Sequence, residues 1–226
     1  MATAYVRVKT FYLQGIMEYK NEEVLSYHIE YPQFASDKYK AFIHKLNIYY
    51  KADATLYQKF HVAKLYQMAI DDYEYATSNG FLVRKYEIVV KYELTYNQDC
   101  VISLFTDRYE YTGGAHGMTN RVGDTWSLEK GKRMLLSDFF PGQIDYKERI
   151  IEAIYKQIEN QISTSSNYYF DDYENLVRDN FNERNFYIVP EGVTIFYQLY
   201  EIAPYSSGIM TFLIPFENSM VKKPNC

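Results

Sequence analysis

The stretch from Arg84 to Tyr96 restricts the fold more than any other part of the chain. Arg84, Tyr86, Ile88, Val90, Tyr92, Leu94 and Tyr96 alternate with Lys85, Glu87, Lys91 and Glu93, the longest period-two pattern in the sequence. Such alternation describes a strand with one buried face and does not fit a helix. Asn97-Gln98-Asp99 supplies turn residues, so a hairpin is expected into a second strand, Cys100–Glu110. That strand ends in Tyr111-Thr112-Gly113-Gly114-Ala115-His116-Gly117, and Met118–Leu128 returns from it before Lys130-Gly131-Lys132 turns the chain again. A glycine-rich tip held between two long antiparallel strands follows from this order.

Three glycines in five residues let the backbone reach positive φ, and between them stands His116, the one side chain there that titrates near neutrality. Either the glycines build a tight turn that His116 stabilises, or they let backbone approach a partner closely. A second loop, Tyr200-Glu201-Ile202-Ala203-Pro204-Tyr205-Ser206-Ser207-Gly208, follows another strand-like run. Pro204 fixes φ and disfavours helix at Ala203, while Tyr205 offers an apolar ring with a polar tip.

These two stretches resemble the paired signatures of the RsiV-like family, bacterial domains of unknown molecular function. The family is best known from the ectodomain of a lysozyme-sensing anti-sigma factor and also occurs beside peptidoglycan deacetylase domains. Asp124–Lys132 and Leu135-Leu136-Ser137-Asp138-Phe139-Phe140 resemble the family's strand, turn and short loop. The resemblance runs from about Tyr109 to Pro215, and the weaker N-terminal half looks like the α/β unit that precedes it. It implies a non-catalytic sensor domain that recognises a lysozyme-like protein or a cell-wall glycan. The ligand-binding residues would be Tyr111, Gly113, Gly114, His116, Glu201, Pro204 and Tyr205. The family's anti-sigma members carry a membrane span and a cytoplasmic sigma-binding segment, neither of which is visible here, so that activity is not carried over.

The remaining elements fit an α+β fold: antiparallel sheets packed with one long N-terminal helix and two C-terminal helices. Ala4 to Leu13 reads as a strand, Tyr19–Glu23 as a turn, and Leu25, Tyr27, Ile29 and Tyr31 as a second strand that Pro32 ends, with His28 on its polar face. From Ser36, a candidate N-cap, to Ser78 the pattern is helical, with Phe42, Leu46, Tyr49, Leu56, Phe60, Ala63 and Ile70 as its stripe and Asn79-Gly80 as its stop. At 1.5 Å per residue it would reach roughly 60 Å, so a bend is expected near Asp53 or Gln67. His44 and His61 ride on this helix as solvated or capping groups.

After Pro141-Gly142, Ile150, Ile151, Ile154, Ile158 and Ile162 mark a second helix, which Ser163–Asn167 breaks. A third starts at Asp171 or Asp172, with Glu174 completing a capping box from Asp171, and buries Leu176, Val177 and Phe181. Phe186–Val189 and Val193–Tyr200 form a hairpin around Pro190-Glu191-Gly192, and Ile209–Ile214 returns from the second loop. The tail Val221–Cys226 is expected to fray. The organisation expected is an N-terminal α/β unit over 1–96 and an RsiV-like C-terminal domain over 97–220, packed as one body.

Of 226 residues, 47% are hydrophobic and 23% charged, with net charge −5, which suits a folded domain and gives no basic stripe for nucleic acid. Aromatic residues reach 18%, with 26 tyrosines against 1 tryptophan, a bias that suits recognition surfaces as well as half-buried strands. Cys100 and Cys226 have neither metal-knuckle nor redox spacing, and a bridge between them is allowed but not indicated. No apolar run reaches the roughly 18 residues of a membrane helix and no export signal is visible, so the chain reads as cytoplasmic, or extracytoplasmic if it is part of a longer protein. No cofactor or metal is expected, because phosphate loop, dinucleotide fingerprint, Gly-x-Ser-x-Gly and metal-spaced histidines are all missing. The pairs Asp71-Asp72 and Asp171-Asp172 diverge by about 100° on a helix and read as solvated or capping. Two alternatives to a binding domain remain: a cell-wall hydrolase or deacetylase-associated activity with His116 or Glu201 as base, and a cytoplasmic structural or sporulation-associated protein.

Overall fold

A computed structural model describes residues 6–142, 145–164, 169–217 and 221–226. It is α+β, with a six-stranded sheet in the order β1-β2-β3-β4-β5-β6 and a three-stranded sheet in the order β7-β8-β9. The chain divides into two compact units, one of Val6–Tyr92 with Thr106–Asn120, the other containing Glu93–Phe105 and Arg121–Cys226.

In the first unit, β1 (Arg7–Tyr19) and β2 (Glu22–Ala35) form an antiparallel hairpin. Lys20 and Asn21 both take positive φ, as a two-residue hairpin turn of matching twist requires. β1 therefore runs six residues past Leu13, and residues 4 and 5 lie outside the described residues. Pro32 does not end β2: beyond Ile29 that strand pairs with β1 but no longer with β3, and a proline is tolerated where one ladder is open.

The long helix is α1 (Lys40–Tyr57), a π turn (Gln58–Val62) and α2 (Ala63–Asn79). It starts after Tyr39 rather than at Ser36, whose hydroxyl instead accepts the Tyr39 N–H at 3.4 Å. Its buried positions are Ile43, Leu46, Tyr50, Ala54 and Tyr57, then Val62, Leu65, Ala69 and Ala76. Within each half the spacing is three, four or their sum, but Tyr57 and Val62 are five apart. In a regular α-helix those two would diverge by roughly 140°; a π turn aligns residues five apart and restores one continuous face. The expected stripe is thereby corrected: Tyr49, Leu56, Phe60 and Ala63 are exposed, Phe42 and Ile70 half-buried, and only Leu46 is core. The irregularity falls at Gln58–Val62, not at Asp53 or Gln67. Gly80, at φ +69°, stops α2, and Phe81 N–H closes on the Ala76 carbonyl at 2.8 Å.

The helix carries the chain across to β3 (Tyr86–Gln98), which pairs parallel with β2 from Leu25↔Tyr86 to Ile29↔Val90. This parallel pairing was not visible in the alternating pattern, which gives the period of a strand but not its partner. Asp99 and Cys100, both at positive φ, turn the chain into β4 (Val101–Tyr111), followed by β5 (Met118–Ser127) and β6 (Lys132–Arg133).

The second unit builds its core from α3 (Tyr146–Thr164), α4 (Tyr173–Asp179) and the hairpins of β7 (Phe186–Val189), β8 (Gly192–Tyr197) and β9 (Met210–Pro215). Ile150, Ile151, Ile154 and Ile158 are buried, but Ile162 is 48% exposed because it lies a full turn beyond the covered part of the helix. Residues 165–167 of the expected break lie outside the described residues. α4 has Asp172 as N-cap with no side-chain cap bond, so the capping box from Asp171 does not form. Val177 is fully buried, with Leu176 and Phe181 packed partly buried against the core. Gly123 has no room for a side chain, since a Cβ would stand 1.9 Å from the Phe186 carbonyl oxygen.

Cys100 and Cys226 form a disulfide across a separation of 126 residues. The tail does not fray: the bridge holds its last residue, Val221 is buried, and Lys222 N–H donates to Phe139 O at 2.8 Å. Such a long closed loop stabilises mainly by restricting the unfolded chain, so reduction, or Cys226→Ser, should cost about 2–5 kcal/mol in denaturant unfolding.

Several tyrosines share a second dependence. Tyr57, Tyr86, Tyr96 and Tyr197 are held protonated well above the ordinary tyrosine range, first by burial, and for the first three also by donating to Glu110, Asp72 and Asp99. Burial raises Tyr146 and Tyr169 to about 12. A raised folded-state value contributes stability that is complete below the unfolded-chain value of about 10 and is lost as pH climbs through the raised ones. The thermal midpoint should therefore stay level up to about pH 10 and then fall, with tyrosinate absorbance rising together with loss of structure.

Candidate functional site

The 111–117 loop belongs to the first unit and the 200–208 loop to the second. In the first, Gly113 and Gly114 take φ +87° and +91°, a region that only glycine enters cheaply. Tyr111 O–H donates to the Gly114 carbonyl at 3.1 Å and closes the turn. His116 is exposed, and its Nδ1–H donates to the Gly117 carbonyl at 3.0 Å. The imidazole thus takes a turn-stabilising bond.

Beside this loop lies an open hollow of about 270 Å³ lined by Asp72, Tyr75, Phe81, Leu82, Arg84 and Gly113 among others. Tyr75, Phe81 and Leu82 are 64%, 59% and 82% exposed, unusually high for large apolar side chains gathered at one place. The Tyr75 and Phe81 ring centroids are 5.9 Å apart. No sequence signal gathers these residues, because the C-terminal end of α2 and the loop meet only through the fold.

In the second loop Glu201 points inward. Its Oε2 accepts the Gln198 N–H at 2.6 Å, and its backbone carbonyl accepts Asn180 Nδ2–H at 2.9 Å. Burial raises the Glu201 carboxyl above the usual carboxylate range, and the bond from Gln198 opposes the rise. Ile202 and Ala203 are buried, so the loop is anchored through its middle. Pro204 precedes a short 3-10 turn over Tyr205–Ser207, and the Tyr205 ring lies 5.9 Å from that of exposed Tyr200. Glu201, Pro204 and Tyr205 are brought together as a braced bend that presents tyrosines.

The cluster that sequence reasoning missed surrounds the π turn. His61, read as a solvated group, meets Glu110 of β4: His61 Nδ1 and the Tyr57 hydroxyl both lie 2.6 Å from Glu110 Oε1. The His61 and Tyr57 rings stack with centroids 4.0 Å apart. Arg108 bonds Asp53 at 2.7 Å, with its guanidinium 5.0 Å from the Tyr57 ring centre. A carboxylate that receives an imidazole and a phenol at one oxygen fixes both rings, and here it also fixes the residue directly before the Tyr111 loop. Among the described residues, no group of three or more His, Cys, Asp or Glu side chains is arranged to hold a metal ion.

Two family models match the chain. Residues 18–119 match the model described as Deacetylase PdaC, and residues 137–217 match a protein family of unknown function, DUF3298. No curated protein matches the chain significantly. Among solved structures, the fold is similar to that of a DUF3298 family member from Bacteroides fragilis. That chain is 19% identical, with 98% of this chain and 96% of that one covered and a TM-score of 0.70. A DUF3298 family protein from Pseudomonas aeruginosa PAO1 is 16% identical over 97% of this chain and 95% of its own, with a TM-score of 0.59. At these identities the likeness concerns the fold. No helix among the described residues is long and apolar enough to cross a membrane.

Removing the Glu110 carboxylate tests the missed cluster. Glu110→Ala leaves two donors without their shared acceptor and should cost about 1–3 kcal/mol in chemical denaturation. The amide resonances of Gly113 and Gly114 should shift with it, because the strand end that carries their loop is released.

Proposed function

We propose that this chain is a non-catalytic binding domain that recognises a protein of the lysozyme type or a cell-wall glycan through its 111–117 and 200–208 loops. The observation that carries this reading is the hollow beside Gly113 and Gly114, where three large apolar side chains stay exposed around a loop of restricted shape. Burying such side chains against a partner releases the water around them, and a preorganised loop loses little entropy on binding. Tyr205 and Tyr200 on the second loop add rings of the kind that dominate recognition surfaces. The RsiV-like resemblance and the match to a model named for a deacetylase both favour ligands of the bacterial cell wall. The disulfide favours an oxidising, extracytoplasmic compartment over the cytoplasm.

A hydrolytic role for His116 and Glu201 has less in its favour. The Glu201 carboxylate is engaged by Gln198, and His116 Nδ1 by Gly117. The expected result of combining His116→Ala with Tyr205→Ala is at least tenfold weaker binding to lysozyme or to purified peptidoglycan sacculi by a chain that stays folded by circular dichroism. Equal binding by the double variant and the parent would remove both loops from the proposal. Turnover of muropeptides that Glu201→Gln abolishes would replace it with the enzyme reading.

A further inference from the structure

We infer that the hollow beside Gly113 and Gly114 binds a carboxylate joined to an apolar group. This rests on the proposal that the 111–117 loop is a recognition loop, and it names the chemistry recognised there. Arg84 is exposed, and among the described residues its guanidinium has no acid, carbonyl or ring partner. Its side chain crosses the loop, with Cδ 3.6 Å from where a Gly113 Cβ would stand. The N–H groups of Gly113 and Gly114 likewise have no acceptor among the described residues. Backbone donors left open on a glycine turn, beside a planar and permanently charged fork that lines the same hollow, are the donor types that anions take up.

The rest of the lining selects among anions. The one carboxylate in it, Asp72, accepts from the Tyr86 hydroxyl and sets a negative charge against the cation of Arg84. Phe81, Leu82 and Tyr75 then offer apolar surface within the same hollow, which an inorganic anion cannot cover. The ligand that uses every feature places a carboxylate on Arg84 and the glycine amides and an aliphatic or aromatic group on Phe81 and Leu82. An apolar C-terminal residue of a peptide has this form, and so does an acidic side chain beside an apolar one.

Titrating the full ¹⁵N-labelled chain with acetyl-Leu-Phe bearing a free carboxylate, with its C-terminal amide, with acetyl-Glu-Phe amide and with inorganic phosphate tests the inference. At least one carboxylate peptide should shift the Gly113 and Gly114 amides saturably, and which of the two does so names the source. The acetyl-Leu-Phe amide and phosphate should bind at least tenfold more weakly. Arg84→Gln and Leu82→Ala should each weaken carboxylate-peptide binding at least fivefold, and both side chains are exposed enough to leave folding intact. If the amide binds as well as the acid, or phosphate binds as well as either peptide, the inference is overturned. It is overturned too if no carboxylate moves the glycine amides while lysozyme or sacculus binding still depends on the loop, and the recognition role then survives it. Carboxylate binding without lysozyme or sacculus binding upholds the hollow and removes the cell-wall ligands instead.

Discussion

One extra residue in the long helix governs the first unit. Val62 can follow Tyr57 on the buried face only because the backbone between them makes a π turn. Without that turn, Leu65, Ala69 and Ala76 would rotate away from the sheet and the apolar contact of α2 would be lost. The same turn sets His61 opposite Glu110, so the packing register and the polar cluster come from one local feature. π turns cost helix geometry, and they persist where surrounding contacts require them. Here the stacked Tyr57 and His61 rings and their common carboxylate supply the contacts.

Much of the architecture was legible because strand alternation and turn residues are local signals. The hairpin at Asp99-Cys100, the strands that flank Gly113 and the β7–β8 hairpin all stand close to where the sequence puts them. The helix stripe was misread because apolar residues recur at helical spacing on two neighbouring faces of α1, and spacing does not say which face is covered: Ile43, Leu46, Tyr50, Ala54 and Tyr57 are buried. Tyr49, Leu56 and Phe60 keep that spacing among themselves, yet they lie on the outer face. Ile162 misled in another way, since apolar identity says nothing about where a helix outruns its cover. The Cys100–Cys226 bridge was invisible because a pairing of 126 residues' separation has no local trace.

The two candidate loops were legible as loops, but not what surrounds them. Glycine and proline mark where a chain turns, so Gly113, Gly114 and Pro204 stand out in the sequence. Their neighbours come from distant segments: Phe81 and Arg84 from the linker after α2 for the first, Asn180 from the end of α4 for the second. Such proximity is a property of tertiary packing. Glu201 illustrates the difference, because a carboxylate in a polar loop reads as an available base until its bond to the Gln198 amide is seen.

Each unit also uses a primary amide as a substitute for a strand. Asn47 of α1 accepts the Phe34 N–H at 2.7 Å and donates to the Phe34 carbonyl at 2.9 Å. Gln198 does the same for Arg121, at 2.9 Å and 2.7 Å. An amide can face a peptide group in this way because it has a donor and an acceptor side by side, and a carboxylate of the same shape has only acceptors. Deamidation at either position would therefore set an oxygen against a carbonyl oxygen, so these two side chains are where chemical ageing of the protein would be felt in its backbone.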